Sequence, residues 1–151
     1  MNAGAAQAWF VAGAIPIMLA GGGHALLALF DTVRPTYFAP TEDSVRRVME
    51  GTGVRLRRMV PGGHTANPSM WRAWLGFNIS HGLGAFTFGL LCLLIATPDF
   101  EVVERIAAIR PLTIAVSAAY LILSLRFWFY GPAVITGAAT ACFTVAAVLS
   151  V

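Results

Sequence analysis

Charge is what this sequence has least of. Charged residues make up 11% of the 151, where a soluble globular domain carries about 25%. So few charges cannot solvate the surface of a folded chain, which excludes the ordinary water-soluble classes. Lysine is missing altogether, so the ten basic residues are all arginine and give a formal net charge of +3. Cysteine occurs twice, too sparsely for a disulfide framework, and there is no Cys-x-x-Cys pair. The chain also lacks a phosphate-binding glycine loop, a serine nucleophile elbow, an internal repeat and a metal-ligand pattern.

What it has in plenty is apolar residues, 58% of the total, and they fall in blocks rather than alternating. Four blocks reach the roughly 20 residues needed to cross a hydrocarbon core about 30 Å thick: 8–30, 71–96, 111–130 and 131–151. No Lys or Arg precedes the first, so it lacks the positive n-region of a secretory signal and is expected to be retained as a helix. Lipid offers no partner for backbone N–H and C=O groups, so each span must be helical. The expected fold is all-α: a single four-helix transmembrane bundle over residues 1–151, its last two spans forming a hairpin that reverses at Tyr130-Gly131-Pro132. Cys92 and Cys142 then differ in depth by roughly 13 Å, too far for a disulfide.

Orientation follows from the arginines. The connection 31–70 holds Arg34, Arg46, Arg47, Arg55, Arg57 and Arg58, with Arg72 opening the next span, whereas the connection 97–110 holds only Arg105 and Arg110. The first connection is expected to be cytoplasmic and both termini non-cytoplasmic, in a bacterial inner membrane. Within it, Thr41 can cap a helix over 42–50, and Val45, Val48, Met49, Leu56 and Met59 extend one apolar stripe. That segment is expected to lie on the anionic inner leaflet, with Arg46, Arg47, Arg57 and Arg58 against lipid phosphates. The basic excess points to membrane lipids and not to nucleic acid. His64 and the stretch 61–68 read as an exposed, flexible approach to the second span.

Polar groups inside the spans are the informative exceptions. His24 precedes the cytoplasmic end of span one by about six residues; Asn78 and His81 follow the start of span two by about six and nine. They therefore share a layer roughly 9 to 14 Å deep. Asp31 projects from the same face as His24, and Arg126 lies nearer the surface on span three. Groups that are costly in lipid are expected to turn inward and meet. The stripe Trp71, Arg72, Trp74, Asn78, His81, Gly82 and Ala85 would face the interior, and Gly21, Gly22, Gly23, Gly82 and Gly84 would let spans one and two approach closely. Pro16 frees the carbonyl of Ala12 and is expected to kink span one.

The residues Gly21-Gly22-Gly23-His24, Asp31-Thr32, Pro35, Phe38-Ala39-Pro40 and the run Met70-Trp71-Arg72-Ala73-Trp74-Leu75-Gly76-Phe77-Asn78-Ile79-Ser80-His81-Gly82 together resemble a family of small bacterial four-helix integral membrane proteins without an assigned activity. The resemblance covers roughly the first 90 residues. It implies fold and membrane location and carries over no catalytic residue. Three functional readings remain open. The layer of His24, Asp31, Asn78, His81 and Arg126 is a packing network in an accessory or scaffolding subunit of a larger membrane complex or homo-oligomer; or it receives the head group of a lipid or quinone, which includes a lipid-modifying enzyme using a histidine; or His24 and His81 ligate haem b. Ion conduction is disfavoured, since no ionisable residue continues the path outward.

Overall fold

The computed structural model describes residues 3–54 and 68–150. The expectations placed on Arg55, Leu56, Arg57, Arg58, Met59, His64 and Asn67 lie outside these residues. The described chain is helical: α1 (Ala3–Phe30), α2 (Asp43–Gly51), α3 (Met70–Ala96), α4 (Glu101–Arg105), α5 (Ile109–Phe127) and α6 (Tyr130–Leu149). α1, α3, α5 and α6 are long and apolar enough to cross a membrane, so this is an all-α, multi-pass membrane protein. α1 begins five residues before the expected start because Ala3, Ala5 and Ala6 are strong helix formers that extend the apolar run. Pro16 lies inside it without ending it.

Two further features differ from expectation. α5 stops at Phe127 and α6 starts at Tyr130, so the reversal falls on Trp128 and Phe129 and not on the Gly131-Pro132 pair. Proline in a first helical turn removes an N–H that has no intrahelical partner anyway; Pro132 therefore opens α6. The second difference is α4, a short helix inside the connection expected to be plain loop. The Asp99 carboxylate accepts the Glu101 N–H at 3.0 Å, and burial of Phe100 and Val103 gives the turn an apolar face.

The chain forms two compact units, one of Met1–Gly22 with Gly84–Val151 and one of Gly23–Leu83. The larger unit contains parts of all four spanning helices. Its core joins Ala6, Phe10, Ala14 and Ile17 of α1, Ala85, Cys92 and Ala96 of α3, and Ala139, Phe143 and Ala146 of α6. Phe10 meets Phe100 and Phe143 edge to face, with ring centroids 5.9 and 5.1 Å apart, the arrangement aromatic quadrupoles favour. Two glycines set how closely α1 and α3 approach in this unit. A Cβ on Gly89 would stand 2.7 Å from the Met18 nitrogen and 2.8 Å from the Ala14 oxygen, and one on Gly21 would overlap the Ala85–Phe86 backbone. Gly23 has nothing within 4 Å of that position and Gly84 meets only the Tyr120 hydroxyl at 3.5 Å. In this unit close approach of backbone to backbone thus rests on Gly21 and Gly89, while a Cβ on Gly22 would meet the edge of the Phe86 ring at 3.2 Å.

Helix ends are closed by side chains from neighbouring helices. Gln7 donates to the Ala96 carbonyl at 2.8 Å and Arg110 donates to the Ser150 carbonyl at 3.0 Å, each meeting a carbonyl that the end of a helix leaves without an intrahelical donor. α5 packs along α6 and buries Thr113, Ser117 and Ser124. The Thr113 and Ser117 hydroxyls donate to carbonyls of their own helix, which lets a polar face pack inside a membrane protein without unsatisfied groups.

Candidate functional site

The smaller unit holds the expected polar layer. On α3, Trp71, Leu75, Asn78, Gly82 and Ala85 are buried at alternating steps of four and three residues, the spacing that keeps one seam facing a partner helix. Arg72 and Trp74, both expected to face inward, are exposed. At about 100° per residue they fall on either side of that seam, and Leu75 occupies it instead. His81 lies on the seam's edge for the same reason and is half-buried, as is His24 on α1.

Asn78 is the centre of the layer and is fully buried. Its amide nitrogen donates to the Trp74 carbonyl one turn back at 2.8 Å, which leaves Oδ1 aimed at α1. There it meets His24 Nε2 at 3.2 Å, and this amide orientation makes His24 the donor. The His24 and His81 rings touch edge to face, with centroids 5.5 Å apart at 72°. Phe77 stacks on His81 at 5.9 Å, and Phe38 lies 4.5 Å from His24 on a further side.

Asp31 is buried, and its carboxylate organises the chain that follows α1 instead of pairing with the histidines of the layer. Its Oδ1 accepts the N–H groups of Thr36 and Tyr37 at 2.8 and 2.9 Å, and its Oδ2 accepts that of Phe38 at 2.6 Å. A carboxylate holding three successive backbone amides folds residues 31–38 into a closed loop. That loop presents Phe38 twice: its ring packs on His24, and its carbonyl accepts the Trp74 indole N–H at 3.0 Å. Phe38 and Trp74 are thus site residues outside the expected polar set. The signal for them is Phe38-Ala39-Pro40 itself and an indole N–H that needs an acceptor.

Arg126 belongs to the other unit and is exposed rather than buried, its guanidinium 5.4 Å from the Phe127 ring. On the last turn of α5 a long cationic side chain extends beyond the helix end more cheaply than it enters an interior. Arg46 is paired within its own helix. Its guanidinium is 2.6 Å from the Glu50 carboxylate and 3.6 Å from that of Asp43, and Arg47 donates to the Asp43 carbonyl. Both arginines therefore have intrahelical partners. Glu42 rather than Thr41 sits at the N-cap of α2 and makes no side-chain cap bond; its carbonyl accepts the first amides, from Val45 and Arg46.

These contacts decide what the layer can hold. Axial haem ligation needs two imidazoles aiming ring nitrogens at one iron from opposite faces of a planar macrocycle. In this protein His24 Nε2 is aimed at Asn78, the two rings are in edge contact, and Phe38 packs beside His24. The residues do not fit haem. Among the described residues no group of three or more His, Cys, Asp or Glu side chains is placed to hold a metal ion. Cys92 and Cys142 are free thiols. Comparison with protein-family models, curated proteins and solved structures finds no match to this chain.

Proposed function

We propose that this protein is an accessory subunit of a larger membrane assembly in a bacterial inner membrane. In this reading His24, Asn78 and His81 form a lock between α1 and α3, and the lock has no catalytic role. One observation carries it: the polar groups around the layer are spent on the protein's own structure. Asp31 holds three backbone amides, Asn78 bridges Trp74 and His24, and the Trp74 indole holds the Phe38 carbonyl. A network with this many internal partners fixes register and shape, which is what a subunit displaying a surface to other chains requires. The arginine asymmetry supports a cytoplasmic 31–70 connection and non-cytoplasmic termini, and the motifs of α1 and α3 support membership of the small bacterial four-helix family they resemble.

A second reading has one observation in its favour. His24 and His81 stay half-buried beside an exposed Phe77, about 9 and 16 Å along their helices from Phe30 and Met70. An amphiphile such as a lipid or quinone would find polar edges and an aromatic face there.

Purification from native membranes in mild detergent separates the two. The accessory reading expects larger membrane subunits in fixed stoichiometry, and retention of that complex by His81→Gln, whose amide still donates and accepts. Recovery of the chain alone with a stoichiometric lipid or quinone, lost in His81→Gln at unchanged thermal stability, would establish the amphiphile reading instead.

A further inference from the structure

Among the described residues, α2 carries an apolar face that is left largely uncovered, with Val45 and Val48 exposed and Met49 half-buried. Val45, Val48 and Met49 stand at i, i+3 and i+4, one side of the helix. None of its residues is buried, and Val48 is 66% exposed. In a water-filled loop such a face would be a liability. The structure shows where the helix is held. At its C-terminal end the Thr52 carbonyl accepts the Met70 N–H at 2.8 Å and Val54 donates to the Pro68 carbonyl at 2.9 Å. These bonds, with the Gly53–Ser69 bridge, tie the end of α2 directly to the first residue of α3. At its N-terminal side Asp31 gathers Thr36, Tyr37 and Phe38 back onto the end of α1. Asp43 follows Phe38 by only five positions, a reach of at most about 18 Å. α2 is therefore tied at its C-terminal end to the start of α3, and at its N-terminal end its tether keeps it within about 18 Å of the loop folded onto the end of α1. The connecting segment is of the same character, with Phe30, Val33 and Tyr37 exposed.

We infer that α2 is an interfacial helix, lying in the leaflet surface at which α1 ends and α3 begins, with Val45, Val48 and Met49 set among the acyl-chain boundary. The occupant of its apolar face is lipid. Its charges make the docking apolar in origin: Asp43 and Glu50 balance Arg46 and Arg47 within the helix, and Arg46 is ion-paired to both acids. With its own charges balanced, α2 itself gains little from an anionic surface, so its insertion depth is set by the apolar face rather than by lipid charge.

The test places single nitroxide labels at Val48→Cys and, on the opposite face, at Arg47→Cys, in a full-length background lacking Cys92 and Cys142. The protein is reconstituted into vesicles of phosphatidylcholine alone and of phosphatidylcholine with phosphatidylglycerol. Power saturation with oxygen and with a water-soluble nickel chelate reads depth. The label at position 48 is expected to favour oxygen, at a depth of roughly 5–10 Å, and that at 47 to favour nickel. Depth should be the same in both lipids and unchanged at roughly 0.5 M salt, where the Debye length is only a few ångströms. Equal nickel access at both positions would overturn the inference, since α2 would then be solvated. So would a label at 48 that is immobile and shielded from both reagents, the mark of a protein neighbour. Insertion seen only with phosphatidylglycerol and lost in salt would overturn the apolar origin.

Discussion

Asp31 shows how much of a site can hang on one side chain. It lies at the end of a membrane-spanning helix, its carboxylate is buried, and it accepts three backbone N–H bonds. Hydrogen bonds to a charged group contribute about 1.5–3 kcal/mol each, and a buried donor left without an acceptor costs about 1–3 kcal/mol. Asp31→Ala should therefore destabilise the Gly23–Leu83 unit by about 3 kcal/mol, a value held down because the freed amides turn to water. Hydrogen exchange at Thr36, Tyr37 and Phe38 should quicken more than tenfold, while amides of α6 keep their protection. Unchanged exchange at the three amides would show that the loop holds itself. The sequence puts Asp31 on the His24 face because seven residues are two helical turns. It does not reveal that the carboxylate serves the amides of residues 36–38, since an aspartate's partners five to seven residues on depend on how the loop closes. Asn78 and His24 are legible together because helical rise converts sequence position into depth. Arg126 departs from expectation because depth alone says nothing about which way a long, flexible side chain extends.

At the scale of elements, the four spanning helices can be read from hydropathy because lipid imposes length and helicity together. Their seams are harder to read, since nearly every position on such a helix is apolar and burial leaves little contrast in composition. Small residues supply what contrast there is. Gly89 passes unnoticed in an apolar run, yet a Cβ there would meet backbone atoms of α1 at Met18 and Ala14. Backbone cannot swing aside as a side-chain tip can, so Gly89→Ala should cost about 1–3 kcal/mol, the range for overpacking. Gly23→Ala, with no atom within 4 Å of the new carbon, should be neutral or gain up to about 1 kcal/mol from helix propensity. Unfolding of the two variants side by side in detergent measures the difference, and equal stability would mean that α1 and α3 do not pack at the separation described. α4 escapes a reading of the sequence for a different reason: five residues carry too little periodicity to stand out, and its burial is decided by Phe100 and Val103 meeting a core assembled from distant segments.

At the scale of the whole molecule, four spans place the connection 31–69 and the connection 97–108 on opposite sides of the membrane. Which side is which depends on charge. Arg34, Arg46, Arg47, Arg55, Arg57 and Arg58 lie in the first connection and Arg72 just beyond it, against Arg105 in the second with Arg110 at the start of α5. Arginine near a span is retained on the cytoplasmic side, and acidic residues contribute little to the choice. Internal pairing therefore does not weaken the bias: Arg46 bound to Asp43 and Glu50 in the folded protein still counted as a positive residue when the chain was inserted. Thr41 and Ala107 are exposed positions in the two connections. With Cys92 and Cys142 removed, a cysteine at Ala107 should react with a membrane-impermeant maleimide added to intact cells. One at Thr41 should react only after the membrane is opened. The reverse pattern would invert the orientation while leaving the four spans in place, and labelling of both positions in intact cells would mean that α3, the one span between them, does not complete its crossing.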